Sequence, residues 1–229
     1  MSRVAIIPAR GGSKRIPRKN LKLFCGKPII SYSIEVAYQS QLFDKVVVST
    51  DDDEIAVVAK QYGAEVPFKR PASLADDYSP TIPVISHAVN WLEKNGWDLD
   101  MTCCIYPTAP LLYRSDLIGS HEIFQTGKWD YVFAGTEYAF PIQRSFKLDN
   151  GGGVEMLYPE QFVARSQDLE IMYHDAGKFY WGTIEAWIDQ RPFFTQNSTM
   201  FKIPKYRVVD IDNLDDWKRA EMVFQYLRG

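Results

Sequence analysis

The sequence predicts an α/β fold in which helices flank a parallel sheet. Short apolar runs rich in β-branched residues, such as Val4–Ile7 and Lys45–Thr50, alternate with stretches whose apolar residues recur every three or four positions. Runs that are apolar throughout are typical of strands buried on both faces, as in parallel sheets. Because ligands of such sheets bind beyond the carboxyl ends of the strands, we expect the functional residues in the loops that follow strands.

The predicted elements follow one another in a regular order. Pro28 begins a helix in which Ile30, Ile34 and Ala37 share a face, and Thr81 is expected to cap a later helix. The predicted strands are 4–7, 45–50, a weaker one near 64–68, 101–106, 131–134, 178–181, 201–203 and 207–211. The other predicted helices are 52–62, which begins within the acidic run Asp51–Glu54, 115–125, 183–189 and a C-terminal helix from 214 to 227.

Residues 138–175 interrupt this order because they are aromatic, loop-rich and without clear periodicity. We interpret them as a small lobe inserted into a single domain that spans residues 1–229. A chain of 229 residues with 46% hydrophobic residues can bury a large core without a disulfide or metal.

Composition excludes several classes of protein. A net charge of −3 disfavours a general nucleic-acid binder. Cys25, Cys103 and Cys104 form no CxxC pair, which favours a reducing compartment. The apolar run broken at Pro8 is too short for a signal peptide, and no run is long enough to span a membrane. We therefore expect a cytoplasmic protein without a membrane or nucleic-acid partner.

A glycine-containing basic loop directly follows the first predicted strand. Glycines let backbone amides approach a ligand closely, and five of the 26 cations lie within residues 10–19. This combination suits a polyphosphate better than the alternative, a solvated basic loop that binds RNA or a protein partner, and residues 10–20 contain no aromatic residue. Neither GxGxxG nor GxxxxGK[ST] is present, which disfavours dehydrogenases and P-loop enzymes.

Several motifs, in register over essentially the whole chain, resemble the CMP-nonulosonate synthetases, cytidylyltransferases that activate sialic acids and related acids with CTP. These motifs are Ile7–Asn20, Leu21–Pro28, Val47–Asp51, Arg70–Ala75, Tyr106–Leu111 and Asp210–Asp212. The resemblance implies a Rossmann-like, GT-A-like nucleotidyltransferase fold of three layers, and a homodimer formed through the lobe at 138–175.

The same resemblance implies which residues bind CTP. They are Ala9, Arg10, Gly11, Gly12, Ser13, Lys14, Lys19, Asn20, Arg70, Asp77 and Thr81. Of these, Arg10 and Lys19 are also expected to be catalytic, because they would neutralise the triphosphate and the departing pyrophosphate. Without the resemblance, Arg70 would be interpreted as a surface arginine in a turn.

Asp210 and Asp212 are the candidate metal ligands and are also expected to be catalytic residues. Residues two apart lie on the same side of a strand, so both carboxylates can reach one ion, and hard oxygen ligands beside a triphosphate suit Mg²⁺. The alternative is that Asp212 caps the last helix and Asp210 is a solvated strand end. The residues alone favour that alternative, whereas the resemblance favours the Mg²⁺ site.

Candidate sugar-binding residues are Tyr106, Arg165, Lys178 and Tyr180. Where this chain has Tyr106, sialate enzymes of the family usually have glutamine, so we expect a less hydroxylated sugar. The resemblance is therefore greatest to the branch that activates pseudaminic acid, with N-acetylneuraminic and legionaminic acid as alternatives. An alternative of another class is a catalytically silent nucleotide-binding regulator. Loss of Lys19, Asp210 or Asp212 would support that alternative, but all three are present.

Overall fold

The computed structural model describes residues 2–228 and has a six-stranded sheet at its centre. The strands are β1 (Ser2–Pro8), β2 (Leu23–Phe24), β3 (Lys27–Pro28), β4 (Lys45–Ser49), β5 (Leu99–Ile105), β6 (Tyr131–Glu137), β7 (Phe146–Leu148), β8 (Val154–Met156), β9 (Tyr173–Thr183) and β10 (Ser198–Lys202). The helices are α1 (Ile29–Ser40), α2 (Asp53–Gln61), α3 (Thr81–Lys94), α4 (Arg114–Phe124), α5 (Ile184–Ile188) and α6 (Leu214–Arg228). None of these helices is long and apolar enough to cross a membrane.

The central sheet is mixed, with the strand order β10-β6-β9-β5-β1-β4. β1 is parallel to β4 and β5, and β10 is parallel to β6, as predicted. The expectation of a wholly parallel sheet is wrong for β9, which runs antiparallel to both β5 and β6. The chain leaves the sheet at the carboxyl end of β6 and returns at the same end, so the strand that follows must run in the opposite direction.

The apolar residues of the sheet pack into one core on each face. One core contains side chains of α1, α2 and α4, and the other contains side chains of α3 and α5. The predicted helix faces are confirmed, since Ile30, Ile34 and Ala37 in α1 are fully buried. A third cluster joins α6 to β2 and α1, where Trp217 and Phe224 pack against Phe24, and Phe224 also packs against Tyr32.

Three local predictions are wrong. Residues 64–68 form no strand and make a single bridge to β4, between Glu65 and Val47, because Pro67 has no N–H to donate to the ladder. Residues 207–211 form no strand either, although their burial alternates. Thr81 is the first residue of α3 and does not cap it; the cap position is Pro80, and no side chain hydrogen-bonds there.

Residues 138–172 extend away from the sheet between β6 and β9. They contain the two-stranded hairpin β7–β8 and short turns of 3₁₀-helix. Many of their large apolar side chains are exposed, including Phe140, Phe162 and Val163. This segment contains nearly all of the region interpreted as an inserted lobe.

Candidate active site

The basic loop begins at the carboxyl end of β1, as the sequence predicts. The Ala9 amide donates to the Ser49 carbonyl oxygen (2.9 Å), which ties the loop to β4. The Asn20 side chain donates to the Arg10 carbonyl oxygen (2.9 Å) and closes the loop on itself. The loop is therefore held at both ends.

Gly11 is required by close packing. A β-carbon at Gly11 would lie 2.5 Å from Oδ2 of Asp52, the residue that caps α2. The Gly11 amide donates to Oδ1 of Asp51 (3.0 Å), so this N–H already has a hydrogen-bond partner within the chain. Gly12, in contrast, has open space around it.

Most of the residues predicted to bind nucleotide line one cavity, which we call the cationic cavity. Its volume is about 190 Å³, and an adjoining hollow of about 310 Å³ shares Arg10, Ser13 and Lys19 with it. The cationic cavity is lined by Arg10, Ser13, Lys19, Asn20, Arg70, Ser79, Thr81 and Tyr106, among others. Lys14, Arg15 and Asp77 line the adjoining hollow.

Arg70 is a buried cation in the wall of this cavity. It is only 5% exposed, and its Nε donates to the Ser49 hydroxyl (3.1 Å). Burial lowers the pKa of the guanidinium to about 10, so Arg70 still carries its charge at neutral pH. The interpretation of Arg70 as a surface residue is therefore wrong.

Asp77 lies between two cations of the basic loop. Its carboxylate is 2.6 Å from an Arg10 guanidinium nitrogen and 2.5 Å from the Lys14 ammonium. Hydrogen bonds from Lys14 and Arg10 lower the pKa of Asp77. An internal anion thus pairs with two of the cations that the resemblance assigns to the triphosphate.

A larger cavity of about 690 Å³, the acidic cavity, adjoins the cationic one, and Tyr106 lines both. Asp210 and Asp212 both line the acidic cavity. The alternating residues Val209 and Ile211 are buried, so the two aspartates lie on the opposite, cavity-facing side of the segment. The other polar residues of its wall are Thr136, Glu137, His174, Asp175, Lys205, Asp216 and Arg219. The two candidate metal ligands therefore share one side of the chain without belonging to a hydrogen-bonded strand.

The electrostatics around Asp210 and Asp212 favour a bound cation. Partial desolvation, together with the negative charge of Asp212, raises the pKa of Asp210. Asp212 is 2.7 Å from Arg15, and the Lys19 ammonium donates to the Ile211 carbonyl oxygen (2.7 Å). Burial lowers the pKa of Lys19, while Asp212 and Asp210 oppose that shift. Lys19 thus connects the basic loop to the acidic segment.

Within residues 2–228, no group of three or more His, Cys, Asp or Glu side chains is arranged to hold a metal. Two carboxylates fit Mg²⁺ only if substrate oxygens and water complete its coordination. This is the usual arrangement for Mg²⁺ beside a nucleotide.

Two of the predicted sugar-binding residues are aromatic neighbours near the boundary between the cavities. The Tyr106 hydroxyl is 2.7 Å from the Thr81 hydroxyl, and its ring centroid is 5.4 Å from that of Tyr180. The Tyr180 hydroxyl donates to Oδ2 of Asp175. Burial raises the pKa of Tyr106 to about 12, so its phenol stays protonated at neutral pH.

The other two predicted sugar-binding residues lie elsewhere. Lys178 is 2% exposed, and burial lowers its pKa to about 8. Arg165 lies outside the acidic cavity of its own chain, on an exposed turn, where it pairs with Asp168 (2.7 Å).

Sequence reasoning missed the ion pair that fixes the acidic segment. Arg207 makes two buried hydrogen bonds to the carboxylate of Asp116 (2.7 and 2.8 Å), and its guanidinium lies over the Tyr113 ring. It also missed Thr136, Asp175, Lys205 and Arg219 in the cavity wall. Only the position of Arg207, three residues before Asp210, could have indicated its role from the sequence.

Comparison with known proteins agrees with this geometry. Residues 4–133 match the family model described as cytidylyltransferase. The chain belongs to the cytidylyltransferase family. This cytidylyltransferase is 45% identical over 225 residues to the pseudaminic acid cytidylyltransferase of Campylobacter jejuni subsp. jejuni serotype O:2. The alignment covers 98% of this chain and 97% of the relative.

More distant similarities are also to enzymes named as synthases or synthetases of CMP-linked sugar acids. The CMP-N,N'-diacetyllegionaminic acid synthase of Legionella pneumophila subsp. pneumophila is 32% identical, over 97% of this chain and 96% of the relative. A solved CMP-2-keto-3-deoxy-manno-octonic acid synthetase, complexed with CTP, superimposes with a TM-score of 0.72 at 16% identity, covering 99% of this cytidylyltransferase and 100% of that chain. The last similarity shows the fold alone. Together these findings confirm the family and the nucleotidyltransferase fold predicted from the sequence.

Proposed function

We propose that this cytidylyltransferase transfers the cytidylyl group of CTP to the anomeric hydroxyl of pseudaminic acid, giving CMP-pseudaminic acid and pyrophosphate. The observation that carries this proposal is the meeting of a cationic and an acidic cavity at Tyr106. A triphosphate suits the first, and a metal ion together with an acidic sugar suits the second. The choice of sugar is supported by the relative that is 45% identical.

The residues of the cationic cavity bind and position the nucleotide. Arg10, Lys14 and Lys19 supply positive charge around the phosphates, and the buried Arg70 adds a fixed cation in the wall. Positioning and charge neutralisation are the main contributions a protein makes to this kind of transfer. Asp77 competes with the phosphates for Arg10 and Lys14.

We infer that Mg²⁺ binds to Asp210 and Asp212, since these are two hard ligands whose mutual repulsion a cation would relieve. When bound, Mg²⁺ supplies Lewis-acid stabilisation of negative charge on the α-phosphate. Lys205 and Arg219 in the same wall are cations suited to the carboxylate of the sugar.

We further propose that the chain acts as a homodimer in the cytoplasm. Exposed apolar side chains concentrate on the segment 138–172, where Phe162 is 66% and Val163 is 88% exposed. Arg165 lies on this segment, and we propose that it completes the acidic cavity of a second copy. The three cysteines are free thiols, in keeping with a reducing compartment.

The first experiment measures pyrophosphate release from CTP and Mg²⁺ with pseudaminic, N,N'-diacetyllegionaminic and N-acetylneuraminic acid in parallel. We expect efficient turnover with pseudaminic acid only. Turnover with a different acid would keep the transfer and refute the choice of sugar. Binding of CTP without turnover of any acid would support a silent regulator.

A further inference from the structure

Arg15 extends from the basic loop to the segment that carries the candidate metal ligands. One of its guanidinium nitrogens is 2.7 Å from Oδ1 of Asp212. We propose that Arg15 is shared between Asp212 and the phosphates of the nucleotide, and that it moves to the phosphates when a metal ion binds Asp212. This inference rests on the proposed function and names a residue that couples metal binding to nucleotide binding.

The backbone beside Arg15 is anchored, whereas its side chain is exposed. Ile16, the next residue, is 1% exposed and belongs to the apolar cluster of α6, β2 and α1. The Lys19 amide donates to the Ile16 carbonyl oxygen (3.1 Å). The Arg15 side chain is 68% exposed, and within residues 2–228 it forms no ion pair except the one with Asp212. An ion pair this exposed contributes little to stability, so Arg15 can exchange partners at small cost.

The place proposed for the triphosphate is next to Arg15. Arg15 lines the hollow that adjoins the cationic cavity, together with Arg10, Lys14 and Lys19. These three residues are the cations that we assign to the phosphates. A guanidinium donates paired hydrogen bonds to phosphate as readily as to carboxylate, so Arg15 suits both acceptors. The same side chain can therefore serve either half of the site.

Arg15 and a metal ion compete for one carboxylate. Like charges that share a carboxylate repel each other strongly, so a divalent cation on Asp212 disfavours the guanidinium there. Arg15 also acts on the second candidate ligand: desolvation and the charge of Asp212 raise the pKa of Asp210, and Lys19 and Arg15 oppose that shift. Arg15 is therefore expected to leave both aspartates when they bind metal and to add its charge to the phosphate site.

The first test measures the Kd for CTP by calorimetry in EDTA at low salt, where neither metal nor turnover contributes. Asp212→Asn keeps the size of the side chain and releases Arg15, so we expect the Kd to fall roughly three- to fivefold. Asp210→Asn is the matched control, since it removes the same charge from a residue without an ion pair among residues 2–228. It should lower the Kd less than about twofold, and so should Asp212→Asn when combined with Arg15→Gln.

The second test measures Mn²⁺ binding without nucleotide by water-proton relaxation. Arg15→Gln removes the competitor, so the Kd for Mn²⁺ should fall roughly three- to fivefold. Arg219→Gln removes a cation of the acidic cavity that forms no ion pair with Asp210 or Asp212 in the described chain, and it should change this Kd less than about twofold.

With Mg²⁺ present, Arg15→Gln should instead bind CTP roughly three- to fivefold more weakly, because the phosphates lose a cation. Opposite shifts in the affinities for metal and nucleotide cannot come from a general loss of structure. Unchanged Mn²⁺ affinity in Arg15→Gln, or equal CTP affinities in Asp212→Asn and Asp210→Asn, would overturn the inference. Wild-type protein that binds no CTP even with Mg²⁺ would refute the proposed function, so the two failures are distinguishable.

Discussion

At the scale of single residues, Asp77 holds the cations that the triphosphate needs. Replacing it by asparagine keeps the size of the side chain and frees Arg10 and Lys14, so we expect the KM for CTP to fall roughly two- to fivefold at low salt. The difference should shrink as salt is added, because Asp77 and Lys14 are exposed to solvent. Steady-state kinetics at two ionic strengths measures both effects.

Asp76→Asn is the matched control for Asp77→Asn. Asp76 accepts hydrogen bonds from the Ser79 hydroxyl (2.6 Å) and the Tyr78 amide (3.1 Å), and it forms no ion pair among residues 2–228. We expect its KM for CTP to stay at the wild-type value. A rise in KM for Asp77→Asn would contradict the competition and support direct contact between Asp77 and the nucleotide, as the family resemblance implies.

Lys178 is a buried charge whose removal should stabilise the protein. Burial lowers its pKa from 10.5 to about 8, a shift equivalent to at most about 3 kcal/mol. Lys178→Met should therefore raise the free energy of unfolding at pH 7 by about 1–3 kcal/mol. The unfolded chain binds this proton more tightly than the folded one, so the advantage of Met should shrink as pH rises from about 8 towards 10.5.

Denaturant unfolding at pH 7 and about pH 9.5 measures this effect, with Lys147→Met as the control. Lys147 is an exposed lysine that is 3.2 Å from Glu155, so its replacement should change stability little at either pH. A less stable Lys178→Met protein at pH 7 would show that the buried ammonium is compensated by its neighbours.

The structure brings six of the residues predicted to bind nucleotide to one cavity, and their binding of CTP stays a prediction. Arg10, Ser13, Lys19, Asn20, Arg70 and Thr81 all line the cationic cavity. Asp175 could not be predicted, because its position depends on a register shift between two strands. Arg165 was predicted from the resemblance, and a single chain gives it no contact with the acidic cavity.

At the scale of elements, the acidic start of α2 and the apolar periodicity of the helices are better predictors of structure than the alternation of apolar residues is of paired strands. Asp52 caps α2 by accepting from the Glu54 and Ile55 amides, so the acidic run Asp51–Glu54 is a helix start, as predicted. Residues 207–211 have the alternation of a strand but no partner strand, because the Arg207–Asp116 pair fixes them against α4 instead. Alternating apolar residues show that one side of a segment is buried. Whether the segment also finds a hydrogen-bonded partner strand depends on the whole sheet.

The bulge where β9 pairs with β6 gives a test at this scale. Gly177 has a φ of +59° and open space where a β-carbon would lie, so Gly177→Ala introduces backbone strain without a clash. We expect a loss of about 1–2 kcal/mol in the free energy of unfolding. Because Asp175 lies in the wall of the acidic cavity and accepts from the Gly177 amide, we also expect a several-fold rise in the KM for the sugar.

Gly127→Ala is matched to this variant, since Gly127 has a φ of +69°, open space around it and a position just beyond α4. It should lose similar stability and keep the wild-type KM for the sugar. Equal KM values in the two variants would mean that the bulge does not orient a substrate-binding residue. Chemical unfolding and pyrophosphate release provide the two measurements.

At the scale of the whole molecule, packing within a single chain does not explain why the segment 138–172 exposes so many large apolar side chains. Phe146, Leu148 and Val154 on its hairpin are exposed, as are Phe162 and Val163. The family resemblance implies a dimerisation lobe at residues 138–175, but which surfaces meet depends on the shape of the partner. An exposed apolar surface of this kind usually marks an interface.

If each active site uses Arg165 of the partner subunit, two defective chains should complement one another. Arg165→Ala and Asp212→Asn each remove one residue, and we expect each variant alone to lose most activity. In a mixed dimer, one site carries both lesions and the other carries neither.

An equimolar mixture that exchanges subunits should recover up to about a quarter of wild-type activity, since about half of the dimers are mixed and each mixed dimer has one intact site. Pyrophosphate release from the mixture, followed over the time of subunit exchange, measures this recovery. Phe162→Asp, introduced into both variants to prevent association, should abolish it. Full activity of Arg165→Ala alone would show that Arg165 serves neither its own site nor the partner's.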